Sequence, residues 1–168
     1  PGRELVRRGV GPIVAAHDID FVIANGEKSA AGFGITREIG DQLLGYGCEV
    51  LTSGNHIWDK KEALDYIVRE PRLLRPANYP AGAPGFGAYL ATAKNGVKVG
   101  VVNVMGRVFL ANIDDPFTTA MREVTALKAP MIRKKVPPAG FAATSITSPA
   151  CKFSWSIVVA VLTASRNS

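Results

Sequence analysis

Histidine and cysteine are scarce in this chain of 168 residues, with two of each. Cys48 and Cys151 lie far apart and form no CxxC spacing, so neither a disulfide framework nor a zinc ribbon is expected. With no recognisable secretory signal, that pattern points to a reducing, cytoplasmic setting. Long apolar runs are missing too. The best, "IVVAVLTA" at 157–164, is far shorter than the roughly 20 residues a spanning helix takes, so no membrane partner is expected. Acidic residues are absent after Lys128: all 14 lie in residues 1–128, beside 15 Lys and Arg. Residues 129–168 carry five basic residues and no acid, so the net charge of +6 belongs almost wholly to the tail. The main body is close to neutral and gives no electrostatic reason for a nucleic-acid surface. The basic run Arg133-Lys134-Lys135 has no interleaved aromatics and reads as a solvated tail.

What is present is a globular composition, 47% hydrophobic, of a length that suits one domain with a real core. Leu5, Val6, Val10, Ile13 and Val14 follow helical spacing, interrupted by Gly9 and Gly11. "DFVIAN", 20–25, and "CEVLTSGN", 48–55, read as short buried strands running into loops. Between them, "TREIGDQLLGYG" has Thr36 as N-cap and Gly45 and Gly47 as stop signals. "DKKEALDYIVREP" is predicted as a helix capped by Asp59, with Glu62 completing a capping box. This alternation of helix and strand implies parallel strands with crossover helices, whose ligands sit at the carboxyl ends of the strands. The pattern then changes. Lys94-Asn95-Gly96 between two apolar alternations predicts a hairpin, and "DDPFTTAMREVTALK" a helix capped by Asp115 with Pro116 in its first turn. After Lys128 the periodicity ends, so the chain is expected to divide into 1–128 and 129–168.

Two loops occupy the strand-end position. In "SGNHIWD", His56 stands beside Asn55; an imidazole serves as metal ligand or general acid, and an amide oxygen suits a hard or borderline divalent ion. In "NGEKSAAGFG", Glu27 lies just past a strand, where a carboxylate is well placed for a metal. Against both stands the plainer reading that these residues only shape turns or face solvent. The glycine pattern matches neither GxGxxG nor GxxxxGK[ST], which excludes a dinucleotide fingerprint or P-loop there. His17, near the end of the first helical pattern, has no candidate partner and reads as solvated or capping.

Taken together, "VIANGEKSAAGFGIT", "VLTSGNHIWDKKEALDYI", "RPANYPAGAPGFG" and "GVVNVMGRVFL…DDPFTTA" resemble the YmdB-like family of calcineurin-type metallophosphoesterases, in order, from Pro1 to Lys128. The resemblance implies an incomplete four-layer α/β/β/α metallophosphoesterase-like sandwich. It also implies two divalent metal ions of iron or manganese type, and hydrolysis of phosphodiesters such as cyclic nucleotides. By that resemblance Glu27 and Asn55 are metal ligands and His56 protonates the leaving group. Lys28 stands where the family has an Asn ligand, and its ammonium would repel a divalent cation. The family's opening Gly-Asp strand has no counterpart ahead of Pro1, and its later His ligands have none after Lys128. We therefore expect a partial domain, 1–128, lacking its first strand and open to self-association along exposed strand edges, with impaired activity. A frame shift near residue 129 would account for the tail. The alternative is a non-catalytic remnant that binds phosphate or a partner weakly.

Overall fold

In the computed structural model, residues 2–107, 113–132 and 156–163 are described. The chain divides into two compact units, Pro1–Arg75 with Pro84–Phe86 and Pro76–Ala83 with Gly87–Ser168.

The first unit contains helix α1 (Gly2–Ala16), strand β1 (Ile23–Asn25), helix α2 (Arg37–Gly45) and strand β2 (Val50–Thr52). A single 3-10 turn, Asn55–Trp58, leads into α3 (Lys61–Ile67) and the short strand β3 (Leu73–Leu74). The strands form a parallel sheet in the order β1-β2-β3, as the alternation implied. β2 is buried at all three positions, whereas Ile23 and Ala24 of β1 are half-buried and Asn25 is exposed. The sequence predicted β1 over 20–25; the regular ladder starts only at Ile23, because Val22 is occupied by Glu49. The Val22 N–H donates to Glu49 Oε2 at 2.6 Å, and its carbonyl takes the N–H groups of Glu49 and Val50.

Thr36 caps α2 as its sequence position demands: its hydroxyl accepts from the Ile39 N–H at 3.3 Å. Chain reversal after α2 uses Gly47 at φ 101, a conformation costly for any residue with a Cβ. Ile35, Ile39 and Leu43 reach the core beside Cys48, Leu51, Ile57, Ile67 and Leu73. Fully burying each of the larger aliphatic side chains contributes about 1.5–3 kcal/mol. Tyr66 crosses from α3 onto Gly40 of α2, where any Cβ would run into its ring, and its hydroxyl donates to Asp41 Oδ1 at 2.9 Å. Burial, with the Asp41 carboxylate alongside, pushes the Tyr66 phenol well above its ordinary range.

The second unit is an antiparallel sheet, ordered β4 (Ala88–Thr92), β5 (Lys98–Met105), β6 (Ser156–Thr163). The predicted hairpin closes at Lys94-Asn95-Gly96, with Gly96 at φ 85, the Ala93 N–H donating to Val97 O and Asn95 Oδ1 accepting from the Val97 N–H. Helix α4 (Pro116–Ile132) starts with proline at its first position, and Asp115 Oδ1 accepts from the Thr118 N–H at 2.8 Å. That backbone hydrogen bond is the main reason the Asp115 carboxyl sits below its usual range. Val102 and Val104 of β5 pack with Ala77 and with Val124 of α4. Of the tail expected at 129–168, residues 133–155 and 164–168 lie outside the described residues; β6 lies within it and pairs with β5 along all eight of its residues.

Candidate functional site

Strands β1 and β2 end side by side, Asn25 opposite Thr52. The Gly26 N–H donates to Thr52 O at 2.9 Å, which carries the pairing one residue past the ladder. Glu27 follows immediately. Its N–H donates to Asn25 Oδ1 at 3.1 Å, and the Ser29 hydroxyl donates to Gly26 O at 2.7 Å, so side chains on both sides hold the bend. On the neighbouring strand, the Ser53 N–H and hydroxyl both donate to Leu74 O, fixing the exit of β2 toward Gly54. The turn beyond is anchored by Ile57, fully buried in the core.

These two exits converge. The Glu27 side chain is 1% exposed, and its Oε1 accepts from the His56 N–H at 3.1 Å. Gly54 lies against the same carboxylate, which a Cβ at that position would overlap. Asn55, half-buried, is held between these two points of contact. A carboxylate removed from water needs such donors, since burying one uncompensated is very costly. Lys28, next in the chain, turns outward and is exposed.

Among the described residues, the His56 ring meets Asp59 and Phe33. Its Nδ1 lies 2.8 Å from Asp59 Oδ2, and it forms a T-shaped pair with the Phe33 ring, with ring centroids 5.2 Å apart and planes at 71°. Phe33 belongs to a loop with left-handed Ala31 (φ 56), Gly32 (φ 94) and Gly34 (φ 72); a Cβ on Gly34 would press on His56 O at 3.0 Å. Asp59 therefore differs from its predicted role. The N-cap of α3 is Lys60, without a side-chain hydrogen bond, so no capping box forms. Asp59 is still helical (φ −69, ψ −21), closing the 3-10 turn, and its carboxylate faces back to His56 three residues earlier. His17 is exposed just beyond α1.

The site offers one buried carboxylate and one amide to a metal. No group of three or more His, Cys, Asp or Glu is placed to hold an ion among the described residues. That donor set does not by itself make a two-metal centre, which takes several ligands for each ion. A cleft of about 460 Å³ lined by Arg37 and Asp41 of α2, Glu62 of α3 and Arg69 just past α3, among others, includes none of Glu27, Asn55 and His56. No helix among the described residues is long and apolar enough to cross a membrane.

A parallel α/β unit with its polar residues gathered at the carboxyl ends of the strands, and an antiparallel unit after it, is an architecture shared with solved proteins. A novel phosphatase from Mycoplasma pneumoniae matches with a TM-score of 0.65 at 21% identity, over 85% of this chain and 63% of that one. A hypothetical protein from Thermus thermophilus matches at 36% identity with a TM-score of 0.67, over 74% of this chain and 48% of that one. The fold is thus the mixed α/β fold of that phosphatase. The family model described as "YmdB-like protein" matches residues 1–137, and the chain belongs to that family. A 2',3'-cyclic-nucleotide 2'-phosphodiesterase of Bacillus subtilis (strain 168) is 44% identical over 120 residues. The match spans 71% of this chain and 45% of that relative, less than half of its length.

Proposed function

We propose that this chain is a phosphodiesterase of its family, acting on phosphodiesters such as 2',3'-cyclic nucleotides, with impaired turnover. The observation that carries the reading is the contact of the buried Glu27 carboxylate with the His56 backbone, which gathers Glu27, Asn55 and His56 where two parallel strands end. In this reading His56 delivers a proton to the departing oxygen, and Glu27 and Asn55 would lend oxygens to a divalent ion of iron or manganese type. Such an ion, when bound, would polarise the phosphoryl group and supply a hydroxide. The homologous phosphodiesterase and the family membership support the substrate class. The small donor set supports the impairment, and Lys28, turned outward, adds no ligand atom to it.

The test is hydrolysis of 2',3'-cyclic AMP by the full chain with added Mn²⁺. His56→Ala should lower the rate by roughly 10²- to 10⁴-fold, the usual range for losing a general acid. Hydrolysis that His56→Ala leaves unchanged would overturn the assignment. The small donor set also favours a second reading, a non-catalytic module that binds phosphate or a partner. Saturable phosphate binding without turnover would support that one.

A further inference from the structure

We propose that Asp59 is the positioning residue for His56, fixing its tautomer so that the transferable proton resides on Nε2. This rests on the role of His56 proposed above. An ionised carboxylate only accepts hydrogen bonds, so a 2.8 Å contact between Asp59 Oδ2 and His56 Nδ1 makes Nδ1 the donor. In the neutral ring the lone pair then belongs to Nε2, and when the ring gains a proton it gains it there. A free imidazole has no such constraint, and which nitrogen carries the proton is set by the partner of the other.

Further observations favour positioning over a merely structural role. Asp59 has the sequence position of a helix cap, yet α3 is capped at Lys60 and takes no side-chain hydrogen bond there. The carboxylate is therefore committed to the ring, not to the helix. The backbone of His56 is separately held by Glu27, so the ring's remaining freedom is rotation about its side-chain bonds. Phe33, in T-shaped contact at 5.2 Å, and Asp59 together restrict that rotation. The pair is partly solvated, with side-chain exposures of 25% for His56 and 37% for Asp59, so it serves geometry more than stability.

The chain has only two histidines, which makes the test direct. Long-range ¹H–¹⁵N spectra of the imidazoles, recorded over a pH series up to the alkaline limit where they stop changing, report each tautomer. His17, exposed beyond α1, is the internal reference. The Nδ1–H form should dominate at His56 and not at His17, and Asp59→Asn should abolish that difference. In the hydrolysis assay Asp59→Asn should lower kcat by about 10- to 100-fold with KM little changed, as losses of such supporting carboxylates do. Asp59→Glu should recover part of the loss. Matching tautomers at His56 and His17 in the unmodified chain, or a His56 tautomer untouched by Asp59→Asn, overturns the proposal. If the unmodified chain hydrolyses nothing, the functional reading fails while the spectra still decide the role of Asp59.

Discussion

Gly54 is the residue at which a single methyl group should cost most. A Cβ there would overlap the Glu27 carboxylate, and that carboxylate has little room to retreat because it is buried and bonded to the His56 N–H. Gly54→Ala should destabilise the first unit by about 1–3 kcal/mol, the usual range for overpacking. Urea unfolding checks this, with a double-mutant cycle against Glu27→Ala: the penalty should largely vanish once the carboxylate is gone. An equal penalty in both backgrounds would mean that the strain lies elsewhere. The same neighbourhood shows what could be read from the sequence. Glu27, Asn55 and His56 stood out because each follows a short apolar run, and such runs end in the loops of a parallel sheet. Asp59 was misassigned for a definite reason. It lies three residues before Glu62 and three after His56, so one spacing fits a capping box and a side-chain pair equally well. Only the backbone at Asp59, still helical, decides between them. Phe33 carried no signal, because an aromatic in a glycine-rich loop meets a histidine only after both loops are folded.

Among the elements, those whose ends are chemically punctuated were the legible ones. Thr36, Asp115 with Pro116, and Asn95-Gly96 fix the starts of α2 and α4 and the β4–β5 turn through hydrogen bonds made within three residues of themselves. Local signals of that kind survive any tertiary context. Strand β1 was less legible, because its first residues are occupied by Glu49 from another segment. The consequence for α2 is measurable. Thr36→Ala removes the side-chain oxygen bonded at its N-terminus and should cost about 0.5–2 kcal/mol, while Thr36→Ser should cost much less. Chemical denaturation of the two variants side by side checks this. Equal losses would show that packing of the Thr36 methyl, not the cap, is what matters.

Across the whole molecule, charge is distributed so that acid sensitivity belongs to the first 128 residues, where every carboxylate side chain lies. Glu70 contributes to that sensitivity. The Arg72 guanidinium donates two hydrogen bonds to it, at 2.8 and 2.7 Å, the Arg72 backbone N–H donates a third at 3.0 Å, and together they hold the carboxyl below the ordinary 4.5. A carboxyl depressed in the folded state stabilises fully above 4.5 and loses that contribution as pH falls through its lower folded value. The stability gap between the unmodified chain and Glu70→Gln should therefore be constant near neutrality and shrink below about pH 4.5. Urea unfolding across that window tests it, and a gap that stays constant into acid would remove Glu70 from the account.

Cys48 has a separate consequence. Its thiol is sealed in the core of the first unit, and burial raises its pKa, so the reactive thiolate is suppressed twice over while the fold is closed. In a chain with Cys151 replaced by serine, the rate of alkylation at Cys48 becomes a clock for the opening of that unit alone, read without any added fluorophore.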